Sequence, residues 1–220
     1  MDVTERAKLS AGASTEAVYL LVDRLLSGRH PGGGTLLDVG CGRGDLWPAV
    51  GHRFDRYVGA DVMRFDGFPA AGDFTRVDLD SGRVDRPDGS ADVVVAAETI
   101  EHVENPRALM RELARLCRPG GWVVVTTPNN LSLLSKLTLV AKNQFNAFQD
   151  GSYPAHITAV VEQDLRRMAA ECGLSEVAVG YSRRGRMPGV GWHYPAAVGR
   201  LLPRSCSDNV GIIGTTPERQ

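Results

Sequence analysis

The stretch AAETIEHVENP places Glu98, Glu101 and His102 at positions i, i+3 and i+4, a spacing that brings two carboxylates and an imidazole to one face of a helical turn. Such a set can hold a divalent cation. Its oxygen donors favour Mg²⁺ or Mn²⁺, and its nitrogen admits Zn²⁺ or Fe²⁺. A fourth ligand is available in His156 of SYPAHIT, which ends a long irregular segment expected to close over the same crevice. Three uses stay open. The first is a metal centre built from Glu98, Glu101, His102 and His156. The second is a metal-free site in which His102 is the general base, with Glu98 and His156 beside it. The third is a structural role, the glutamate orienting a loop and the histidine packing or capping. His30, His52 and His193 have no acidic neighbours at useful spacing and are expected at the surface.

A second group surrounds a glycine-rich turn. In LLDVGCGRGD, Gly40, Gly42 and Gly44 follow one apolar run and precede a helix, a context in which backbone can approach a nucleotide closely. The third small residue of a dinucleotide fingerprint is replaced by Asp45, which opposes a pyrophosphate at a helix start. NAD and FAD are therefore disfavoured. Asp38 directs a carboxylate into the same crevice and suits a cationic group such as an ammonium or sulfonium. Asp61 follows Gly40 by about 20 residues, the separation expected of a carboxylate that grips a ribose diol. Asp78 and Leu79 end the next apolar run, where an acid can accept from an adenine amino group while its neighbour packs on the ring.

These residues need a scaffold, and the apolar pattern supplies one. A leading helix is expected over 14–26. Strands are expected over 35–40, 57–62, 74–79, 91–97 and 121–127, with helices over 45–51, 106–117 and 161–172. The strands run apolar rather than alternating, which implies a parallel sheet covered on both faces. Two late runs, 175–182 and 209–214, are expected to pair at one edge. A single domain over 1–220 follows, with an N-terminal helix (14–28), a cofactor-binding core (35–127), a lid or acceptor insertion (129–158) and a C-terminal helix with edge strands (159–220).

The order of the blocks LLDVGCGRG, YVGADV, VDLDSG, PDGSADVVVAAETIEHVENP and LCRPGGWVVVTTPN resembles the class I S-adenosylmethionine-dependent methyltransferases over Thr35 to Thr127. The resemblance implies an α/β fold: a Rossmann-like, doubly wound, mostly parallel seven-stranded sheet with an antiparallel C-terminal edge hairpin. It implies S-adenosylmethionine as cofactor. Asp38, Gly40, Gly42 and Gly44 would line its methionine end, Asp61 its ribose, and Asp78 with Leu79 its adenine, with Cys41, Val62 and Ala97 alongside. Asp73 and Asp80 compete with Asp78 for the adenine. Two groups share the ExxEH pattern: the ubiquinone-pathway O-methyltransferases, and the small-RNA 3′-terminal 2′-O-methyltransferases, which also carry a TTPN strand end and a later histidine.

Charge bears on that choice. Lys plus Arg number 25 against 26 acids, a net of −1, and the lid has no arginine-rich run, so nucleic acid is disfavoured. The expected activity is O-methylation of a small-molecule hydroxyl, with a divalent metal (Mg, Mn or Zn) as an optional assistant. The alternatives are RNA 2′-O-methylation, N-methylation and a non-catalytic cofactor-binding module. Residues 131–148 read as an amphipathic helix that either covers the site or makes peripheral contact with a membrane or lipophilic substrate. Arg183, Arg184 and Arg186 read as a solvated turn. The longest uncharged stretch, Pro119 to Ser135, is interrupted by Gly120, Gly121, Pro128, Asn129 and Asn130 and cannot span a bilayer. The first residues lack a signal-peptide pattern, so a cytoplasmic protein is expected. The 4 cysteines are widely spaced, which points to reduced, mostly buried thiols.

Overall fold

A computed structural model describes residues 12–218 together with residues 4, 5 and 7. Seven strands, β1 (Thr35–Val39), β2 (Arg56–Asp61), β3 (Asp73–Arg76), β4 (Ala91–Ala97), β5 (Cys117–Pro128), β6 (Ser175–Tyr181) and β7 (Asn209–Thr215), form one sheet in the order β3-β2-β1-β4-β5-β7-β6. The first five run parallel, and β7 is antiparallel to both of its neighbours. The expected antiparallel pair thus closes the sheet at β6, but it is joined through residues 182–208 rather than by a tight turn.

The unbroken apolar runs follow from burial on both faces. Helices α1 (Glu16–Leu26) and α2 (Trp47–Val50) cover one side, where Leu21, Val22 and Leu26 pack with Leu36, Val93, Val95 and Val124. Helices α3 (Pro106–Leu116) and α5 (Glu162–Glu171) cover the other, where Leu109, Leu113, Leu165 and Met168 pack with Leu37, Val94, Val123 and Val125. Successive residues of one strand therefore feed opposite cores. The start of α3 is locally encoded: Asn105 accepts from the Ala108 amide at 3.0 Å, and Pro106 follows where no amide donor is needed.

Several boundaries differ from the periodic expectation. Strand β3 stops at Arg76, because the Asp78 carboxylate takes the Asp80 amide (3.0 Å) and the Ser81 hydroxyl (2.8 Å) into a turn. Asp78 and Leu79 lie beyond the strand. The expected helix over 131–148 is shorter, α4 (Leu133–Lys142), followed by helical turns at Asn146–Phe148 and Asp150–Ser152. Only Ser135 of α4 is buried, and Leu133, Leu137 and Val140 are exposed. The last helix is α6 (Ala196–Leu201). His30 is a correction to the surface expectation: it is buried, stacked on Phe54 at 4.9 Å with Nε2 3.1 Å from the Gly33 carbonyl oxygen. His52 and His193 are exposed, and Cys41, Cys117 and Cys206 are buried free thiols. No helix among the described residues is long and apolar enough to cross a membrane.

Candidate active site

The carboxyl ends of β1, β2 and β4 open into a cavity of ≈ 660 Å³. Parallel pairing sets this up: Asp38 lies in register between Gly59 of β2 and Val95 of β4, so residues following the three strands emerge at one edge. Of the residues expected near the cofactor, Asp38, Gly40, Cys41, Gly42, Asp61, Val62, Asp78, Leu79 and Ala97 all line this cavity. Gly44 does not. A Cβ there would strike Pro69 and approach the Tyr57 hydroxyl at 3.3 Å, so this glycine serves the packing behind the turn. Gly42 has φ +50° and its missing Cβ would collide with the Gly12 backbone, which lies over the turn and accepts from the Arg43 amide at 2.8 Å.

Asp38 is 2% exposed, and its Oδ2 accepts from the Tyr57 hydroxyl at 2.8 Å. Burial pushes its pKa up to about 7, with the nearby Asp61 charge adding to the rise and the Tyr57 bond opposing it. The Asp61 carboxylate accepts from the Gly42 amide (2.8 Å) and the Val62 amide (2.7 Å), which ties the turn after β1 to the end of β2. Burial also raises its pKa. Asp80 lines the cavity beside Asp78, whereas Asp73 pairs with Arg56 and Arg86 outside the wall.

Glu98, Glu101, His102 and His156 line the same cavity. The expectation that the first three share one helical face does not hold. The helical turn spans only Ile100–His102, and Glu98 has φ +52°. Glu98 is instead held by Thr126, whose hydroxyl donates to Oε1 at 2.9 Å, and by the Asn209 side chain, which donates to Oε2 at 2.7 Å. Burial pushes its pKa up to about 7 against those bonds. Ligand atoms of Glu101, His102 and His156 do converge, all within 4.8 Å of one another.

Glu101 is completely buried; Oε2 accepts from the Thr127 hydroxyl at 3.1 Å and Oε1 has no partner. Burial, with the charge of Glu98, holds its pKa well above the usual carboxylate range. Each imidazole Nδ1 meets a backbone carbonyl at 2.7 Å, His102 that of Ala155 and His156 that of Ala147. A carbonyl can only accept, so each Nδ1 carries the proton and the neutral ring keeps its lone pair on Nε2. Burial lowers the His156 pKa and favours that neutral form.

Sequence reasoning missed the residues that hold these groups. Thr126 and Thr127 stand in the TTPN strand end but were given no positioning role there, Tyr57 and Asn209 belong to no motif, and only the tertiary fold brings the four to their partners. The segment Gly12–Thr15 and Tyr19 of α1 also line the cavity, which no motif announced.

The pattern for the methyltransferase domain family matches residues 15–179. Among similar curated proteins, a ubiquinone biosynthesis O-methyltransferase from Thiobacillus denitrificans is 32% identical over 64% of this chain and 65% of its own length. A protein of the same name from Chromobacterium violaceum is 29% identical over 64% and 65%. The chain thus spans just under two thirds of the length of these relatives. The crystal structure of a SAM-dependent methyltransferase from Archaeoglobus fulgidus superimposes with a TM-score of 0.62 at 18% identity, covering 95% of this chain and 97% of that one, a likeness of fold.

Proposed function

This chain belongs to the methyltransferase domain family, and on that premise we propose that it is an S-adenosylmethionine-dependent methyltransferase acting on a hydroxyl oxygen of a small molecule. The observation that carries this reading is one cavity lined by Asp38, the Gly40–Gly42 turn and Asp61 together with Glu101, His102 and His156. The O-methyltransferase names of the relatives support oxygen as the acceptor atom.

When bound, S-adenosylmethionine supplies a methyl group already activated on a sulfonium. Asp38, ionised, neutralises the positive charge of the methionine end. Asp61 braces the glycine turn and keeps lone pairs for the ribose, and Leu79 offers an apolar flank for the adenine. His102, its tautomer set by the Ala155 carbonyl, takes onto Nε2 the proton that leaves the acceptor hydroxyl. The positioning work is to hold that oxygen in line with the methyl group and away from water.

In place of that use of His102 as a base, Glu101, His102 and His156 fit a divalent cation, since a buried carboxylate oxygen with no partner among the described residues stands with two imidazoles of matching tautomer. Two nitrogens suit Zn²⁺ or Mn²⁺ better than Mg²⁺, and such an ion would lower the pKa of an acceptor hydroxyl. Calorimetry with S-adenosylmethionine and S-adenosylhomocysteine, followed by labelled-methyl transfer with and without chelator, tests both points. Binding of both nucleosides and label in a hydroxyl ether are expected; failure to bind either would overturn the cofactor assignment. Loss of activity in chelator, matched by Glu101→Gln, supports the metal, and full activity in excess chelator removes it.

A further inference from the structure

We propose that the excursion between β6 and β7, together with helix α4, forms a face that docks on an anionic lipid bilayer. This inference is independent of the cofactor and acceptor assignments. Within 182–208 the Met187 amide donates to the Trp192 carbonyl and the Tyr194 amide to the Gly185 carbonyl, each at 2.9 Å, which closes a hairpin. Its tip exposes Val190 and Trp192, the latter by 77%. Helix α6 then ends on two exposed side chains, Leu201 at 80% and Leu202. Helix α4 shows the same inversion. Leu133, Leu137 and Val140 recur at i, i+4 and i+7 and are exposed, whereas the only buried residue of the helix is Ser135. Backbone contacts join these pieces: the Leu133 amide donates to the Ser205 carbonyl at 2.9 Å and the Asn129 side chain to the Arg204 carbonyl at 2.8 Å, so α4 starts against the turn that follows α6. A second cavity of ≈ 680 Å³ is lined by Ser135 of α4 and by Arg186 and His193 of the hairpin, with Glu16, Asn130 and Arg184 also in its wall. Glu98, His156 and Asn209 line both cavities, which sets this face beside the candidate active site.

Charge selects the occupant. Segments 131–149 and 182–207 hold 7 of the 25 basic residues of the chain and none of its 26 acids, so an excess of acid lies elsewhere. Arg186 is taken by Asp208 at 2.9 Å, and Arg204 lies 3.7 Å from Glu162. Lys136, Arg183, Arg184 and Arg200 have no carboxylate partner among the described residues. Lys136 stands within the apolar stripe of α4, and Arg200 precedes Leu201. A second copy of the chain packed face to face would set these cations against their own kind. Nucleic acid would meet the cations but offers Leu137, Val140 and Leu201 nothing to bury against. An anionic bilayer answers both needs: lipid phosphates face the cations, and acyl chains take the aliphatic side chains that water now covers. Trp192 suits the boundary between the two, because its ring is apolar and its N–H needs an acceptor.

The test sediments the full chain with vesicles of phosphatidylcholine alone and of phosphatidylcholine mixed with phosphatidylglycerol. Binding is expected to the mixed vesicles only, and it should weaken in ~1 M salt, where charge is screened beyond about 3 Å. Leu137→Glu and Leu201→Glu, each at an exposed position, should weaken it at least tenfold with the melting temperature unchanged, and Arg200→Glu should do the same. Brominated acyl chains should quench the tryptophan emission of the parent and not that of Trp192→Phe, since Trp47 and Trp122 are half-buried. Failure to bind the mixed vesicles overturns the proposal, as does equal binding to the neutral ones. Undiminished binding in both leucine variants overturns it as well, because charge alone would then account for the attachment. A chain that ignores vesicles but forms a dimer which Leu137→Glu dissolves would assign the face to a second copy instead.

Discussion

At the scale of single residues, the site is dominated by carboxylates held where charge is unfavourable. Asp38 is the clearest case, since burial puts its pKa near neutrality and a cationic ligand requires its ionised form. Below about pH 7 the protein must release a proton before it can offset the ligand's charge. Affinity for S-adenosylmethionine should therefore be about tenfold weaker at pH 6 than at pH 8, which titration calorimetry in buffers of different ionisation enthalpy would read directly. The stability sign is opposite. The folded protein favours neutral Asp38, so its contribution is full below the unfolded value near 4 and is lost as pH rises to about 7. Asp38→Asn should raise the melting temperature of the ligand-free protein at pH 8, by the equivalent of roughly 1–3 kcal/mol, and weaken cofactor binding. A variant that melts lower and binds normally would refute both statements.

Among the elements, the turn after β1 and the segment before α5 carry the function. Gly42 combines a left-handed φ with backbone contact from Gly12, so Gly42→Ala has no relaxed alternative. It should cost about 1–3 kcal/mol of stability and abolish cofactor binding, measured by denaturation and calorimetry on the same sample. Helix α4 behaves differently, because only Ser135 is buried and the residues that hold His156 lie outside it, at Ala147 and Phe148. Replacing 133–142 with a short linker should leave S-adenosylhomocysteine affinity within about threefold while turnover is lost, because the Ser135 hydroxyl accepts from the Asn146 amide at 3.1 Å and so anchors the turn whose Ala147 carbonyl holds His156. Cofactor affinity falling in parallel with activity would show that α4 supports the first cavity instead.

Over the whole molecule, two cores back one edge of one sheet, and the site inherits its rigidity from them. Leu113 of α3 is fully buried in the core away from α1, and Leu113→Ala should cost about 2–5 kcal/mol. Because no part of Leu113 reaches either cavity, cofactor affinity measured well below the melting transition should not change. Adding S-adenosylhomocysteine at about 100 times its dissociation constant should restore ~2.7 kcal/mol by mass action. A dissociation constant that shifts with Leu113 would mean that the core and the site are coupled rather than independent.

Much of this was legible along the chain, because strand burial and turn chemistry are local. The runs TLLDV and ADVVVAA must be buried on both faces wherever they sit, and GCGRG must turn, so the sheet and the cofactor edge could be read from residue types alone. The ExxEH spacing was less informative, since spacing implies a shared face only if the backbone is helical throughout. Glu98 adopts a left-handed conformation before the helical turn begins, and Thr126 and Asn209 take its carboxylate. What joined His156 to Glu101 and His102 were the Ile157 and Thr158 amides, which donate to the Glu101 carbonyl at 3.0 Å, and the bond from the His102 ring to the Ala155 carbonyl at 2.7 Å, contacts whose sequence separation leaves no periodic trace. The second cavity was equally invisible: Arg184, Asn130 and Glu16 come from three separate regions of the chain, and only the folded chain brings them to one cavity.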